Sequence, residues 1–311
     1  CSYEAQFDVI SALLSAWPDA VKHKDLRSMT PLNAACLNRA SYDVVSSLLS
    51  AWPDAATQKN ISSMTPLHSA CSQKASFEII SALLSAWPDS LKQKDIDGQI
   101  PLHTACSYAA PLNVISALLS ASPDAVKQKD IRGMTPLHTS ILHRASFDVV
   151  SVLLSAWPDA AKQKDLQNTT PLHTACVIGA PFDVVSALLS AWPDALKQKN
   201  NYFQTPIHIS CTSFEITLLL INTWLRDKEN RRSSASMPLK ECQVRFQTED
   251  KKMLFNCLYN LYNGKTENPS PKEIISCFIH FQLQNGVAFV LDRHPTVIKT
   301  MELDTKVMAD F

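Results

Sequence analysis

The chain has 311 residues, equal numbers of acidic and basic side chains, and only five glycines. Because those glycines lie far apart, the sequence excludes a glycine-rich loop that cradles phosphates. No stretch approaches the roughly 18 uninterrupted apolar residues of a membrane-spanning helix.

A period of 35 residues runs through most of the chain and predicts a stacked repeat array. Thr-Pro or Ile-Pro recurs with this step from Thr30 to Thr205, and Trp-Pro-Asp recurs from Trp17 to Trp192 with Ser122 in one slot. We place a partial unit at 1–24, five full units at 25–59, 60–94, 95–129, 130–164 and 165–199, and a shortened unit at 200–231. Because the partial unit lacks its front half, we expect the chain to be a piece of a longer array.

Each unit predicts two short helices. Proline opens the first helix, and the preceding threonine is its predicted N-cap. The second helix begins near Ser76, the predicted cap, with Glu78 in its first turn, and it ends at Trp87 because Pro88 follows. One helix pair cannot bury its apolar face alone, whereas stacked pairs can.

Fixed positions of the unit carry a specific pattern. In unit 130–164 they are Asp130, Gly133, Thr135, Pro136, Leu137, His138, Leu153 and Leu154. The Pro-Leu/Ile-His core recurs at His68, His103, His138, His173 and His208, and Asn33 replaces histidine in another copy. This pattern resembles the ankyrin repeat over about residues 1–231. The resemblance implies an all-α, ankyrin-type α-solenoid of helix-turn-helix repeats with turn or hairpin tips, followed by a divergent α-helical C-terminal tail.

Two departures from the family pattern lead to further expectations. The unit is about two residues longer than usual, and the inter-helix glycine is present only at Gly179. We expect the longer loop to remove the need for a positive φ at the equivalent positions, which are Arg39, Lys74, Ala109 and Arg144. Phe203 replaces the turn glycine, so we expect the last turn to be atypical.

The end of the chain differs in composition. Residues 232–240 read as a linker, and 241–311 as a helical tail. One helix is predicted from Thr248 to Asn263, and another from Ser270 to Gly286. Since Trp224 and His294 are two periods apart, the tail is either a separate domain or two eroded repeats.

Three columns of equivalent residues have structural interpretations. Stacked equivalents lie roughly 8–10 Å apart, too far for disulfides between the cysteines of one column or for a metal shared by its histidines. We therefore predict reduced core cysteines and an intracellular, reducing compartment, cytoplasm or nucleus. The resemblance implies that the histidines bond neighbouring turn backbone. For the tryptophans, we favour core packing over an exposed aromatic stripe.

A lysine column repeats from Lys24 to Lys199, and a second lysine two residues earlier accompanies most copies. It could meet phosphates or an acidic partner. Because aspartates run alongside and the total charge is zero, we favour a solvated, self-compensated edge.

Candidate binding residues are those that differ between otherwise similar copies. In the ankyrin family, the turn tips and the exposed side of the first helix line a concave binding face. The resemblance assigns this role here to Arg27, Met29, Arg132, Met134, Leu142, His143, Arg144 and Tyr202. The alternative is that these positions vary because nothing constrains them.

The function predicted is a non-catalytic scaffold that binds a protein partner on that face. The sequence predicts no catalytic, cofactor-binding or metal-ligating residue, argues against nucleic acid as the partner, and favours a monomer. One alternative is a targeting or regulatory part of a larger enzyme whose catalytic domain lies elsewhere; the tail offers His280, His294, Cys257 and Cys277 without a recognisable spacing. Another is an anionic-surface or nucleic-acid binder using the lysine ladder, which would bind in a salt-dependent way.

Overall fold

A computed structural model of the protein describes residues 7–209, 213–232, 248–264 and 269–299. Over these ranges the chain consists of α-helices, short 3₁₀ helices and turns, without a β-strand. It divides into two compact units, unit 1 (Cys1–Thr174) and unit 2 (Ala175–Phe311). The predicted all-helical repeat fold is confirmed.

Unit 1 alternates short first helices with longer second helices. The first helices are α2 (Pro31–Leu37), α4 (Pro66–Ser72), α6 (Pro101–Ser107) and α8 (Pro136–Leu142), and the second helices are α1 (Phe7–Ala16), α3 (Tyr42–Ala51), α5 (Phe77–Ala86), α7 (Leu112–Ala121) and α9 (Phe147–Ala156). Each set packs in chain order, first helix on first and second on second. Leu118, Ile115 and their equivalents in α3, α5 and α9 are buried there, and each such side chain contributes about 1.5–3 kcal/mol.

The predicted threonine caps are present. Thr30 accepts a hydrogen bond from the Asn33 N–H at 3.2 Å. Thr65 forms a capping box with His68, whose ring accepts from the Thr65 N–H in return, and the same box recurs in α8. At α6 the N-cap is Ile100, which has no hydroxyl to cap the helix or to meet the histidine ring, and Nδ1 of His103 has no partner.

The second helices are ten residues long and end one residue before the tryptophan or Ser122. That residue is extended, with φ near −150° at Trp52, and Pro-Asp then opens a five-residue 3₁₀ helix, which the sequence interpretation missed. These 3₁₀ helices are Pro18–Lys22, Pro53–Thr57, Pro88–Lys92, Pro123–Lys127 and Pro158–Lys162. Trp52, Trp87 and Trp157 are half-buried rather than full core residues. Ser76 occupies the N-cap position but makes no cap bond, since it bonds the Glu78 carboxylate instead.

The expectation about the inter-helix loop was wrong. Arg39, Lys74, Ala109 and Arg144 all have φ between 50° and 57°. The next residue donates back to the first helix, as from Ala75 N–H to the Ala70 carbonyl at 3.0 Å. This is the Schellman arrangement, which needs a left-handed residue to release the helix whatever the length of the loop that follows.

Lysines and cysteines behave in unit 1 as structural residues. Lys59, Lys94 and Lys129 each donate through Nζ to the carbonyl of the equivalent lysine one repeat later, at 3.0–3.2 Å. The accompanying lysines pair with aspartate three residues before them, as in Lys127–Asp124 at 2.8 Å. The self-compensated edge is therefore confirmed. Cys36, Cys71 and Cys106 are buried and free, also as predicted, while Cys1 and Cys211 lie outside the described residues.

Unit 2 opens within α10 (Pro171–Ile178) and continues with α11 (Phe182–Ala191), the 3₁₀ helix Pro193–Lys197, α12 (Pro206–Ile209) and α13 (Phe214–Arg226). Helix α13 runs on past Trp224 to Arg226, because no Pro-Asp follows the tryptophan here. The turn before α12 is not atypical: Phe203 has φ of 60°, and its N–H bonds the Asn200 carbonyl at 2.9 Å. The backbone holds a bulky residue there because side-chain and main-chain bonds of Asn200 fix the turn.

The tail contains the 3₁₀ helix Asn230–Arg232, then α14 (Glu249–Asn263), α15 (Pro271–His280), α16 (Gln284–Arg293) and the 3₁₀ helix Pro295–Lys299. Gly264 ends α14 with φ of 67°, as predicted. Gly286 does not end a helix. It lies inside α16, where a Cβ would come within 2.9 Å of the Phe278 ring, so its role is close helix packing. The linker predicted at 232–240 lies almost wholly outside the described residues.

Side-chain contacts tie α16 and Phe281 to α13 and to the 3₁₀ helix Asn230–Arg232. Arg231 pairs with Asp292, Asn285 donates to the Asn222 carbonyl at 2.9 Å, and Phe281 stacks edge-on against Phe214. The Arg231 side chain is 8% exposed, so this ion pair is largely withdrawn from water.

Candidate functional site

A five-residue tip begins at the Asp or Asn that opens each repeat: 25–29, 60–64, 95–99, 130–134 and 165–169 in unit 1, and 200–204 in unit 2. In the tip of repeat 95–129, Oδ1 of Asp95 accepts from the N–H groups of Asp97 and Gln99 at 3.0 and 2.8 Å. The fourth residue, Gly98, has φ of 70°. The same ring recurs in every tip, so a short side chain with an acceptor oxygen fixes each loop. The repeat pattern includes this column at Asp130, but the sequence alone did not predict that its side chain closes the loop.

Consecutive tips of unit 1 are joined to one another. The second residue of each tip donates its N–H to the carbonyl of the third residue of the preceding tip. These bonds run from Ile61 to Arg27, Ile96 to Ser62, Ile131 to Asp97 and Leu166 to Arg132, at 2.9–3.1 Å. The tips therefore form one hydrogen-bonded row along unit 1.

The histidine column braces this row from behind. His68, His103 and His138 direct Nε2 at the carbonyl of the last residue of the next tip, each at 3.1 Å. The bond from the threonine N–H to Nδ1 requires the neutral ring. Burial lowers the pKa of all three to about 4, against the opposite effect of the carbonyl bond. The role implied by the resemblance is confirmed, and in the Asn33 copy Nδ2 bonds the Gln58 carbonyl at 3.1 Å instead.

The candidate binding residues on the tips differ in exposure. Arg27 and Arg132 are exposed in unit 1, and Tyr202 is 68% exposed on its tip in unit 2. Met29 is half-buried. Met134 is only 6% exposed, so its side chain presents little surface to a partner.

The candidates after the first helix lie close to the tip of the same repeat. His143 and Arg144 are exposed and Leu142 is half-buried. Partial burial lowers the pKa of His143, and the positive charge of Arg132 lowers it further. The structure thus brings Arg132 and His143 within electrostatic reach. Arg132 also lies 3.7 Å from the buried Asp130 carboxylate, which holds its side chain against the tip.

One set of equivalent exposed residues, at the second position of each tip, was not among the predicted binding residues. The second tip residue is aliphatic in all five tips of unit 1, and each is largely exposed. These residues are Leu26 (102% exposed), Ile61 (69%), Ile96 (68%), Ile131 (61%) and Leu166 (72%). We call them the aliphatic row. The signal was a position that stays Leu or Ile while its neighbour changes.

The four tail residues considered as candidates for chemistry lie in different environments. Cys257 and Cys277 are both buried, and their shared hydrogen bond together with burial raises the pKa of Cys257. Cys277 and His280 border a cavity of 690 Å³ that Met253 and Phe281 also line. His294 caps the end of α16. Among the described residues no three His, Cys, Asp or Glu side chains converge as metal ligands.

No helix in the described part of the chain is long and apolar enough to cross a membrane.

Comparison with known proteins agrees with this geometry. Residues 75–164 match the ankyrin repeats family in three copies, whereas no curated protein matches. The chain is similar to the ankyrin repeat domain of Bcl-3, described as a unique member of the IkappaB protein family, with 22% identity and a TM-score of 0.56 over 69% of this chain and 91% of that one. It is similar to the human ASB11 ankyrin repeat domain with 18% identity and a TM-score of 0.59 over 70% and 92%. Ankyrin repeat domains are typically non-catalytic and generally mediate protein–protein interaction. Residues 75–164 are therefore ankyrin repeats, and the fold of the chain is that of an ankyrin repeat solenoid.

Proposed function

We propose that this chain is a non-catalytic scaffold whose protein partner docks on the tip row of unit 1 and on the exposed ends of the adjoining first helices. In the ankyrin arrangement this is the concave face. The contact residues proposed there are Arg27, Arg132, His143 and Arg144, with Met29 and Leu142 half-buried and Met134 buried beside them. Tyr202 is the proposed contact of unit 2.

The observation that carries this proposal is the fixed display of exposed side chains. Each tip of unit 1 is closed by the bonds of its Asp or Asn side chain and is bonded to a neighbouring tip, and the tips 95–99, 130–134 and 165–169 are each braced by a buried neutral histidine. A surface held in this way loses little conformational entropy when a partner binds, which favours affinity. The lysine edge offers less, because its charges already have partners within the chain.

The proposal is tested by capture from a native lysate with the full chain as bait. The variant Arg27→Ser/Arg132→Ser/His143→Ser removes three exposed side chains without disturbing the core. The matched control Lys92→Ser/Lys127→Ser/Lys162→Ser removes three exposed cations from the other edge. We expect the tip variant to lose at least about 90% of the captured partner, as losses of about 1.4 kcal/mol or more would produce, and the control to retain it. Equal capture by both variants would contradict the proposal.

We also propose that the predicted boundaries hold, with six repeats over 25–231 and a tail over 241–311 built of eroded repeats. Residues 270–299 support this, because they show the repeat's order of features: capped first helix, left-handed residue, ten-residue second helix and 3₁₀ helix. A monomer in a reducing compartment is the accompanying proposal, supported by the free buried thiols. Sedimentation of the purified chain and localisation of a tagged full-length protein test these two points.

A further inference from the structure

The aliphatic row is exposed, yet its chemistry is constant among the copies. Along the row the residues are Leu or Ile in all five tips, although each keeps more than 60% of its surface in water. The adjacent third tip position is exposed in four tips and half-buried at Ser62, and it has become Arg, Ser, Asp, Arg and Gln. Burial cannot explain why only the second position stays aliphatic. A regular exposed apolar row is the kind of surface that marks an interaction site.

The backbone of the tips restricts what can lie on this row. In the tip 95–99 all five N–H groups are already used, two by the Asp95 side chain, two within the tip and one by the preceding tip. The tips 60–64 and 130–134 repeat this arrangement. An extended peptide would lose water from its carbonyls and find no backbone donor there. An α-helix satisfies its own backbone and needs only side-chain contacts.

The spacing of the row fits a helix. Neighbouring first helices pack at about 8–10 Å, and the tips that precede them are joined at the same step. In an α-helix, every seventh residue returns to the same face after about 10.5 Å. In an extended strand, side chains on one face recur at about 6.6 Å, or at about 13 Å if every second one is skipped.

We propose that the partner segment is an amphipathic α-helix that lies along the tip row of unit 1, with an apolar residue at every seventh position meeting Leu26, Ile61, Ile96, Ile131 and Leu166. This inference rests on the proposed function and names the chemistry of its partner. Five contacts require at least about 29 helical residues. Arg27, Asp97 and Arg132 flank the row in the order positive, negative, positive. The helix therefore carries an acidic residue opposite Arg27, a basic residue opposite Asp97 and an acidic residue opposite Arg132. The first two are 14 residues apart on the helix and the last two are seven apart, taking one heptad for each tip.

The test uses two peptide libraries displayed against the full chain. In the first, 35-residue helix-forming peptides have Leu at every seventh position and randomised flanks. In the second, the same Leu content is placed between prolines that prevent a helix. Binders are measured against Ile61→Ser/Ile96→Ser/Ile131→Ser and against the matched control Phe77→Ser/Phe147→Ser, which removes exposed apolar side chains from the second helices. Circular dichroism checks that both variants remain folded.

We expect binders from the helical library, with affinity lowered about 100-fold by the row variant and unchanged by the control. A selected peptide with its middle basic residue changed to Glu should bind Asp97→Lys better than the original chain. Row-dependent binders from the proline library alone would overturn the helix and leave the proposed function intact. So would a dimer of the chain that the row variant dissociates, since the occupant would then be a second copy. No row-dependent binder from either library also overturns the helix; lysate capture unaffected by the Arg27, Arg132 and His143 changes is the separate result that overturns the scaffold.

Discussion

Repeat 130–164 of unit 1 and residues 270–299 of unit 2 have the same backbone features in the same order. Both open with a capping hydroxyl and proline, with the capping box completed by His138 in one and Glu273 in the other. Both leave the first helix through a left-handed residue and end the second in an extended residue before Pro. They differ in how they are attached to the helices beside them. In unit 1 the bonds go from a side chain or N–H to a backbone carbonyl at each period, whereas in unit 2 the tail depends on particular side-chain pairs such as Arg231–Asp292.

This difference shows which kind of contact can recur from repeat to repeat while the sequence changes. A backbone carbonyl is present whatever residue carries it, so the histidine and lysine contacts survive changes in the neighbouring repeat. A side-chain pair is lost when either member changes. The four experiments that follow test this contrast, from the largest expected effect to the smallest.

Acidification should destabilise unit 1 through its histidines. The pKa of His68, His103 and His138 is about 4 in the folded state and near 6.5 in the unfolded chain. The unfolded state therefore binds protons first, and stability present above pH 6.5 is lost as the pH falls from 6.5 to 4. The loss at pH 4 is up to roughly 3 kcal/mol for each ring.

Urea unfolding followed between pH 7 and 4 measures this effect. The control changes the three histidines to Asn, which the Asn33 copy shows can bond the neighbouring backbone without titrating. An equal pH dependence in the Asn variant would mean that other groups are responsible.

Removing one partner of the buried ion pair should weaken unit 2. Asp292→Ala leaves the Arg231 charge, 8% exposed, without its carboxylate. Since Asp292 itself is 44% exposed, we expect a loss of about 2–3 kcal/mol, below that of a fully buried pair. Amide hydrogen exchange in α13 and α16 measures this loss of local stability. Asp159→Ala, which breaks an exposed pair with Lys162, serves as control and should change nothing measurable.

Thr135→Val should cost about 1–2 kcal/mol, because it removes the cap of α8, leaves the His138 N–H unbonded and takes away the hydroxyl beside Nδ1. Valine keeps the shape of threonine, so packing is preserved. Thr135→Ser retains the hydroxyl and should restore most of the stability in thermal unfolding. A Val variant as stable as the parent would show that the cap is redundant, as it is dispensable at Ile100.

Lys74→Gly and Ala109→Gly should each stabilise unit 1 by about 0.5–1 kcal/mol. Lys74 has φ of 56° and Ala109 has φ of 50°, and a residue with a Cβ is strained in this left-handed region. The greater freedom of glycine in the unfolded chain offsets part of the gain. The reverse change, Gly179→Ala, should destabilise by a similar amount. If glycine lowers the melting temperature, the strain in this loop is absent.

Sequence periodicity was sufficient for the features set by local chemistry. The period, the two helices of each unit, the threonine caps and the histidine bonds could be predicted because each follows from spacing or from a cap. Loop conformations could not, because Arg39 and Phe203 adopt positive φ only under hydrogen bonds formed by residues elsewhere in the loop. Gly286 was misread because a glycine that ends a helix and one that admits a neighbouring ring look alike in sequence.

The candidate site divides in the same way. Arg27 and Arg132 are exposed, which agrees with their prediction as binding residues on the tips. The burial of Met134 could not be predicted, because variation between copies does not show which tip side chains are buried. The aliphatic row was not among the candidates because its residues are alike in all five tips, whereas the candidates were the positions that differ between copies.

The complete use of tip N–H groups also bears on solubility. Exposed aliphatic side chains repeated at a regular step would ordinarily invite aggregation, and the usual route is the addition of a strand to an unpaired backbone edge. Here the tips 60–64, 95–99 and 130–134 have no unpaired N–H to start such a ladder. The exposed aliphatic side chains of these tips therefore lie on a backbone that offers no free N–H to an incoming strand.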